Sequence, residues 1–79
     1  MMDRRDNDQT APMRKAASLR PDLAVIASLI APKSRVLDVG CGDGQLLGWL
    51  RDYKLVDGRG IEIDQSQVHR AIAQGIPVI

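Results

Sequence analysis

The segment Val36-Leu37-Asp38-Val39-Gly40-Cys41-Gly42-Asp43-Gly44 constrains this chain more than any other. Its first half is an apolar run broken only by Asp38, which reads as a strand covered on both faces, as in parallel sheets with helices on both sides. Glycines at alternate positions follow. Gly40 and Gly42 have no Cβ, so the backbone there can turn sharply and approach a ligand closely. Leu46, Leu47 and Leu50 then fall on one helical stripe, with Trp49 as a packing residue at its edge, and Asp43 is placed to cap the helix. Open α/β sheets bind their ligands at such a place, where a strand's carboxyl end meets the outward-pointing amides of a helix start.

The rest of the chain repeats the alternation. Arg20-Pro21-Asp22 reads as a helix start, because Pro has no N–H to orphan and an acid in the first turn suits the helix dipole. Leu23, Ile26, Ala27 and Ile30 give that helix one apolar face, and Pro32 ends it. Asp57-Gly58 signals a turn, and Gly60-Ile61-Glu62-Ile63 a second short strand. Asp64 with Gln67 resembles a capping box. Val68, Ala71 and Ile72 form the next apolar face, Gly75 terminates that helix, and Ile76 to Ile79 begins a third strand. The order α-β-α-β-α-β implies right-handed βαβ units and a parallel sheet. Residues 1–18 are polar, lack periodicity and read as a disordered tail, leaving 19–79 as the structured part. Three parallel strands leave unpaired edges, and a complete doubly wound fold needs roughly twice this length. The chain therefore reads as the N-terminal half of a larger domain, or as one whose sheet edge a partner chain covers.

Composition removes several function classes. A net charge of +1, with no Phe, one Trp and one Tyr, gives neither the basic surface nor the stacking platform of a nucleic-acid binder. No apolar run approaches a membrane span, and the charged N-terminus has no secretory apolar region, so the cytoplasm is the expected location. Cys41 is the single cysteine, has no identifiable base beside it and suits the turn as a small residue. His69 falls on the polar side of its helix, and no His/Cys/Asp grouping has metal-ligand spacing. No residue stands out as catalytic.

The spacing of the loop narrows the ligand. A dinucleotide fingerprint is G-x-G-x-x-G, whereas here the third glycine comes one position early and Gln45 follows it. A phosphate-cradling P-loop would need Gly-Lys-Ser/Thr after the loop. Asp38 lies two residues before the first glycine, and Glu62 lies 22 residues after Gly40, at the end of the second strand. An acid in that place can hold both hydroxyls of a ribose.

These residues resemble motif I of the class I S-adenosylmethionine-dependent methyltransferases. More narrowly, Arg20-Pro21-Asp22-Leu23, Ser34 to Gly44 and Gly60-Ile61-Glu62-Ile63-Asp64 resemble the methionine biosynthesis MetW family, over residues 19 to 79. The resemblance implies a Rossmann-like three-layer fold with S-adenosyl-L-methionine as cofactor. It implies that Asp38 and the backbone of Gly40, Cys41 and Gly42 surround the methionine moiety, that Glu62 binds the ribose and that Ile63 flanks the adenine. It also links the family to homoserine O-acyltransferase as a partner, the cofactor fold then serving as a binding or regulatory module. The alternative is an active methyltransferase on a small molecule, whose acceptor and base usually come from later strands of the fold.

Overall fold

The computed structural model describes residues 19–79, so the stretch 1–18, expected to be a disordered tail, lies outside the described residues. Five elements follow in the expected alternation: α1 (Pro21–Leu29), β1 (Arg35–Val39), α2 (Gln45–Lys54), β2 (Asp57–Ile61) and α3 (Gln65–Ala73). β1 and β2 pair in parallel, Arg35 opposite Asp57 through Val39 opposite Ile61. The third strand is reduced to one parallel bridge between Gly60 and Val78, flanked by Gly60 N–H donating to Pro77 O and Ile79 N–H donating to Gly60 O, both at 2.8 Å. Pro77 has no N–H, so it donates nothing that would extend this ladder toward Ile76. β2 thus lies between β1 and the 76–79 segment, in the 3-2-1 order of one half of a doubly wound sheet.

Asp57 and Gly58 belong to β2, not to a turn, and Glu62 and Ile63 lie just past its end. The reason is tertiary. A Cβ on Gly58 would lie 2.7 Å from Leu47 Cδ2, and one on Gly60 would overlap the Cys41 sulfur. The two glycines are the gap in β2 into which Leu47 of α2 and Cys41 of the loop settle. That packing offsets the weak strand preference of glycine.

The core consists of Leu19, Ala27, Cys41, Leu46, Leu47, Leu50, Val56, Ala71 and Ile76, with Val36 and Val78 of the sheet packed against it. Among the described residues, helices cover this one face of the sheet. The opposite face is open: Leu37 is 56%, Val39 73% and Ile79 77% exposed. The expectation that β1 is covered on both faces therefore does not hold within residues 19–79, because all the described helices pack on the side of Val36, Gly58 and Gly60.

The helix ends show which local signals act. Pro21 opens α1, which stops at Leu29 with Ile30 already extended ahead of Pro32. No basic residue sits in its last turn; instead the Lys54 ammonium, from the end of α2, donates to Ala27 O and Ile30 O, both at 2.7 Å. On α1 the expected apolar face is only partly used: Ala27 is buried, Leu23 and Ile30 are half-buried, and Ile26 stays exposed. The cap of α3 is one-sided. Asp64 accepts from the amides of Ser66 and Gln67, but Gln67 Oε1 is buried without a partner among the described residues, and the Asp64 amide donates to Glu62 instead.

Candidate functional site

The site lies where β1 ends. Gly40 N–H and Cys41 N–H both donate to Ile61 O, at 2.7 and 3.1 Å, which carries the sheet ladder one step beyond β1 and then turns the chain away. Gly40, Gly42 and Gly44 have φ of 78°, 59° and 84°, in the left-handed region where a side chain is strained. Their surroundings differ. A Cβ on Gly44 would press on Ile76 and Ala71, so this glycine lets the start of α2 pack against α3. Gly40 and Gly42 would meet nothing within 4 Å. Backbone conformation, together with open space beside it, accounts for glycine at these two positions, and such bare backbone facing open space fits the close approach of a ligand.

That space is a cavity of about 310 Å³, lined among others by Asp38, Gly40 to Asp43 and Arg20. Asp43 supports the loop from one residue before the helix boundary: Gly44 occupies the N-cap position, and Asp43 Oδ1 accepts from the Gln45 amide at 3.2 Å. Gln74 Nε2 donates to Asp43 O at 2.8 Å and ties the loop to the end of α3.

Glu62 is the centre of the arrangement. Its Oε1 accepts from Gly42 N–H at 2.8 Å, while Oε2 accepts from Asp64 N–H at 3.0 Å and from Ile63 N–H at 3.1 Å. The amides of Asp64 and Gly42, then that of Ile63, hold its carboxyl below the ordinary glutamate range. A carboxylate offers about four lone-pair positions, and three are used. The bond to Gly42 spans twenty residues and was not visible in the sequence, where Glu62 was expected only as a ribose acceptor.

Asp38 is half-buried and its carboxylate has no hydrogen bond or ion pair among the described residues; partial desolvation raises its pKa. Cys41 is buried, its thiol turned against Gly60, with Sγ 3.6 Å from Gly42 O. Burial, then the charges of Asp38 and Glu62, push the thiol pKa up, which keeps it protonated and makes it a poor nucleophile. Ile63 is 93% exposed beside the Glu62 turn. The structure thus brings Asp38, Gly40, Cys41 and Gly42 to one cavity and bonds Glu62 to its Gly42 wall. Arg20, read in the sequence only as part of a helix start, also lines that cavity. His69 is exposed on α3, and Trp49 is half-buried, its ring 5.1 Å from that of Tyr53. No helix among the described residues is long and apolar enough to cross a membrane.

Comparison with known proteins agrees with this fold. The family model described as methionine biosynthesis protein MetW matches residues 20–79. The chain is 32% identical, over 83 aligned positions, to a bifunctional methionine biosynthesis protein MetXA/MetW of Rhodopirellula baltica; the match covers 95% of this chain and 13% of that protein. An S-adenosylmethionine-dependent methyltransferase of Geobacter sulfurreducens, solved with S-adenosyl-L-homocysteine, superposes with a TM-score of 0.59 at 26% identity, covering 82% of this chain and 33% of that one. YjhP of E. coli superposes with a TM-score of 0.62 at 24% identity, covering 77% and 29%. The chain therefore spans a third or less of the length of these relatives. It carries part of a Rossmann-like methyltransferase fold, and by the match over residues 20–79 it belongs to the MetW family of methionine biosynthesis proteins.

Proposed function

We propose that residues 19–79 form the first half of an S-adenosyl-L-methionine site, and that the protein bearing them acts in methionine biosynthesis together with homoserine O-acyltransferase. The observation that carries the cofactor reading is the pair of left-handed glycines, Gly40 and Gly42, whose absent side chains open onto a cavity that also holds Asp38. In this reading Asp38 and the Gly40–Gly42 backbone take the methionine moiety, and Ile63 lies against the adenine. Glu62 offers its remaining Oε1 lone pair to a ribose hydroxyl without displacing an amide. When bound, the cofactor supplies a methyl group on a sulfonium. The protein's residues here hold it and hold the loop. The Geobacter methyltransferase solved with S-adenosyl-L-homocysteine supports the ligand class, and the Rhodopirellula protein, named for a MetXA and a MetW function in one chain, supports the partner.

Calorimetric titration of the full-length protein with S-adenosyl-L-methionine tests the cofactor reading. Gly42→Val removes the φ freedom and fills the open space, and Glu62→Ala removes the acceptor; each is expected to weaken binding about tenfold or more, the scale of one hydrogen bond to a charged group. Titrations unchanged by both substitutions would reject the site. Co-purification with the acyltransferase, against assays for methyl transfer to small molecules, separates the pathway module from the alternative of an active methyltransferase.

A further inference from the structure

We infer that Arg20 is a binding residue of this site, pairing with Asp38 across the cavity to recognise a zwitterionic α-amino acid head group. The inference rests on the cofactor reading above and adds to it the source of discrimination for the amino-acid end of the ligand.

Four observations carry it. Arg20 and Asp38 line one cavity, together with Gly40, Gly42 and Asp43, although they lie eighteen positions apart in the chain. Among the described residues of that lining Arg20 is the one cation, beside two acids, Asp38 and Asp43. Its guanidinium has one ion pair among the described residues, with Asp22 two residues on, at 3.4 Å between two largely exposed side chains. Contacts of that kind contribute little, so the side chain is free to turn toward a better anion. Asp38, in the same lining, has a half-buried carboxylate without a cation or donor of its own among the described residues.

An α-amino acid presents a carboxylate and an ammonium on one carbon. Recognition of such a group needs a cationic fork and an anion on opposite sides of a small space, with bare backbone between them to let the carbon skeleton in. Guanidinium suits the carboxylate because its N–H groups match both oxygens at once. Asp38 then receives the ammonium, and the half-buried carboxylate acquires the partner it lacks. The position of Arg20 also fits: it is the N-cap residue of α1, so its backbone is fixed by the helix while its side chain remains outside it.

The test compares ligands that share the nucleoside and differ in the head group. The full-length protein is titrated with S-adenosyl-L-homocysteine, with decarboxylated S-adenosylmethionine, and with 5′-methylthioadenosine, which has no amino acid. Arg20→Gln is expected to weaken S-adenosyl-L-homocysteine about tenfold, the scale of one charged hydrogen-bonded contact. It is expected to leave decarboxylated S-adenosylmethionine and 5′-methylthioadenosine within twofold of wild type. Arg20→Lys should recover part of the loss. Asp38→Asn should weaken the two ligands that carry an ammonium and spare 5′-methylthioadenosine. If Arg20→Gln leaves S-adenosyl-L-homocysteine unchanged, or weakens all three ligands alike, the pairing is wrong while the cofactor site stands. If the wild-type protein binds none of the three, the cofactor reading fails and the inference falls with it.

Discussion

At the scale of single residues, Asp38 shows how the proposed binding site and a stable fold make opposite demands. Its carboxyl is held above the ordinary aspartate pKa of 3.8 by partial burial, so the native state binds more protons than the unfolded chain in the window just above that value. Stability is lost as pH rises through this window, and the ionised group remains a net cost at neutral pH. Asp38→Asn is therefore expected to raise the thermal midpoint of the ligand-free protein at pH 7, with the gain vanishing below pH 3.8, where Asp38 itself is neutral. The same substitution should weaken S-adenosyl-L-methionine about tenfold, by the loss of a charged hydrogen bond. Thermal scans across pH check the first part and calorimetry the second. A wild-type protein more stable than the variant at pH 7 would show that Asp38 has a partner in the empty site. Glu62 runs the other way: its carboxyl is depressed, so its contribution is present above the unfolded value near 4.5 and lost as pH falls through the lower folded value.

At the scale of elements, β2 is governed by what packs on it. A Cβ at Gly60 would overlap Cys41, whose Cβ is itself only 2.9 Å away, whereas a Cβ at Gly58 would meet the far end of the Leu47 side chain. Leu47 Cδ2 can swing aside more easily than the loop at Cys41 can retreat. Gly60→Ala should therefore destabilise by about 1–3 kcal/mol, the usual cost of overpacking, and Gly58→Ala by less. For a domain of this size that is a fall of several degrees in the midpoint per kcal/mol. Equal effects at the two positions would refute the packing order. These glycines also show where sequence reasoning stopped. The periodic stripes of α2 and α3, the proline start of α1 and the glycine loop were all legible, because each is a local pattern of spacing or φ. Asp57-Gly58 looked like a turn for the same local reason, and the close approach of Leu47, which makes it strand, is a contact between elements. The bond from Gly42 to Glu62 was invisible on the same grounds: residue types predicted a ligand acceptor, and only the fold shows that the acceptor already holds three amides.

At the scale of the whole molecule, the described part is a sheet with helices on one side. Leu37, Val39 and Ile79 are exposed on the open side, with Arg59 of β2 opposite Leu37 and Ile61 opposite Val39. Exposed apolar side chains on one sheet face draw a partner or drive association. The 79-residue chain is expected to bind an apolar fluorescent dye and to elute above its 8.7 kDa in size-exclusion chromatography. The pair of substitutions Leu37→Ser and Val39→Ser should reduce both signals severalfold while costing less than about 1 kcal/mol, as exposed positions do. Made in the full-length protein, the same pair should cost several times more if further elements cover that face. A dye signal that survives the substitutions would place the sticky surface elsewhere, with Val25 and Leu29 on the outer side of α1 the next candidates.

The three amides on Glu62 come from two separate turns, Gly42 from the first strand-to-helix turn, Ile63 and Asp64 from the second. One carboxylate thus pins two turns that the sheet alone would leave free to splay. In the proposed cofactor reading, the spacing of these two turns is set before a ligand binds. The ordering that would otherwise be charged against its affinity has already taken place during folding, and a modest set of contacts can then hold it.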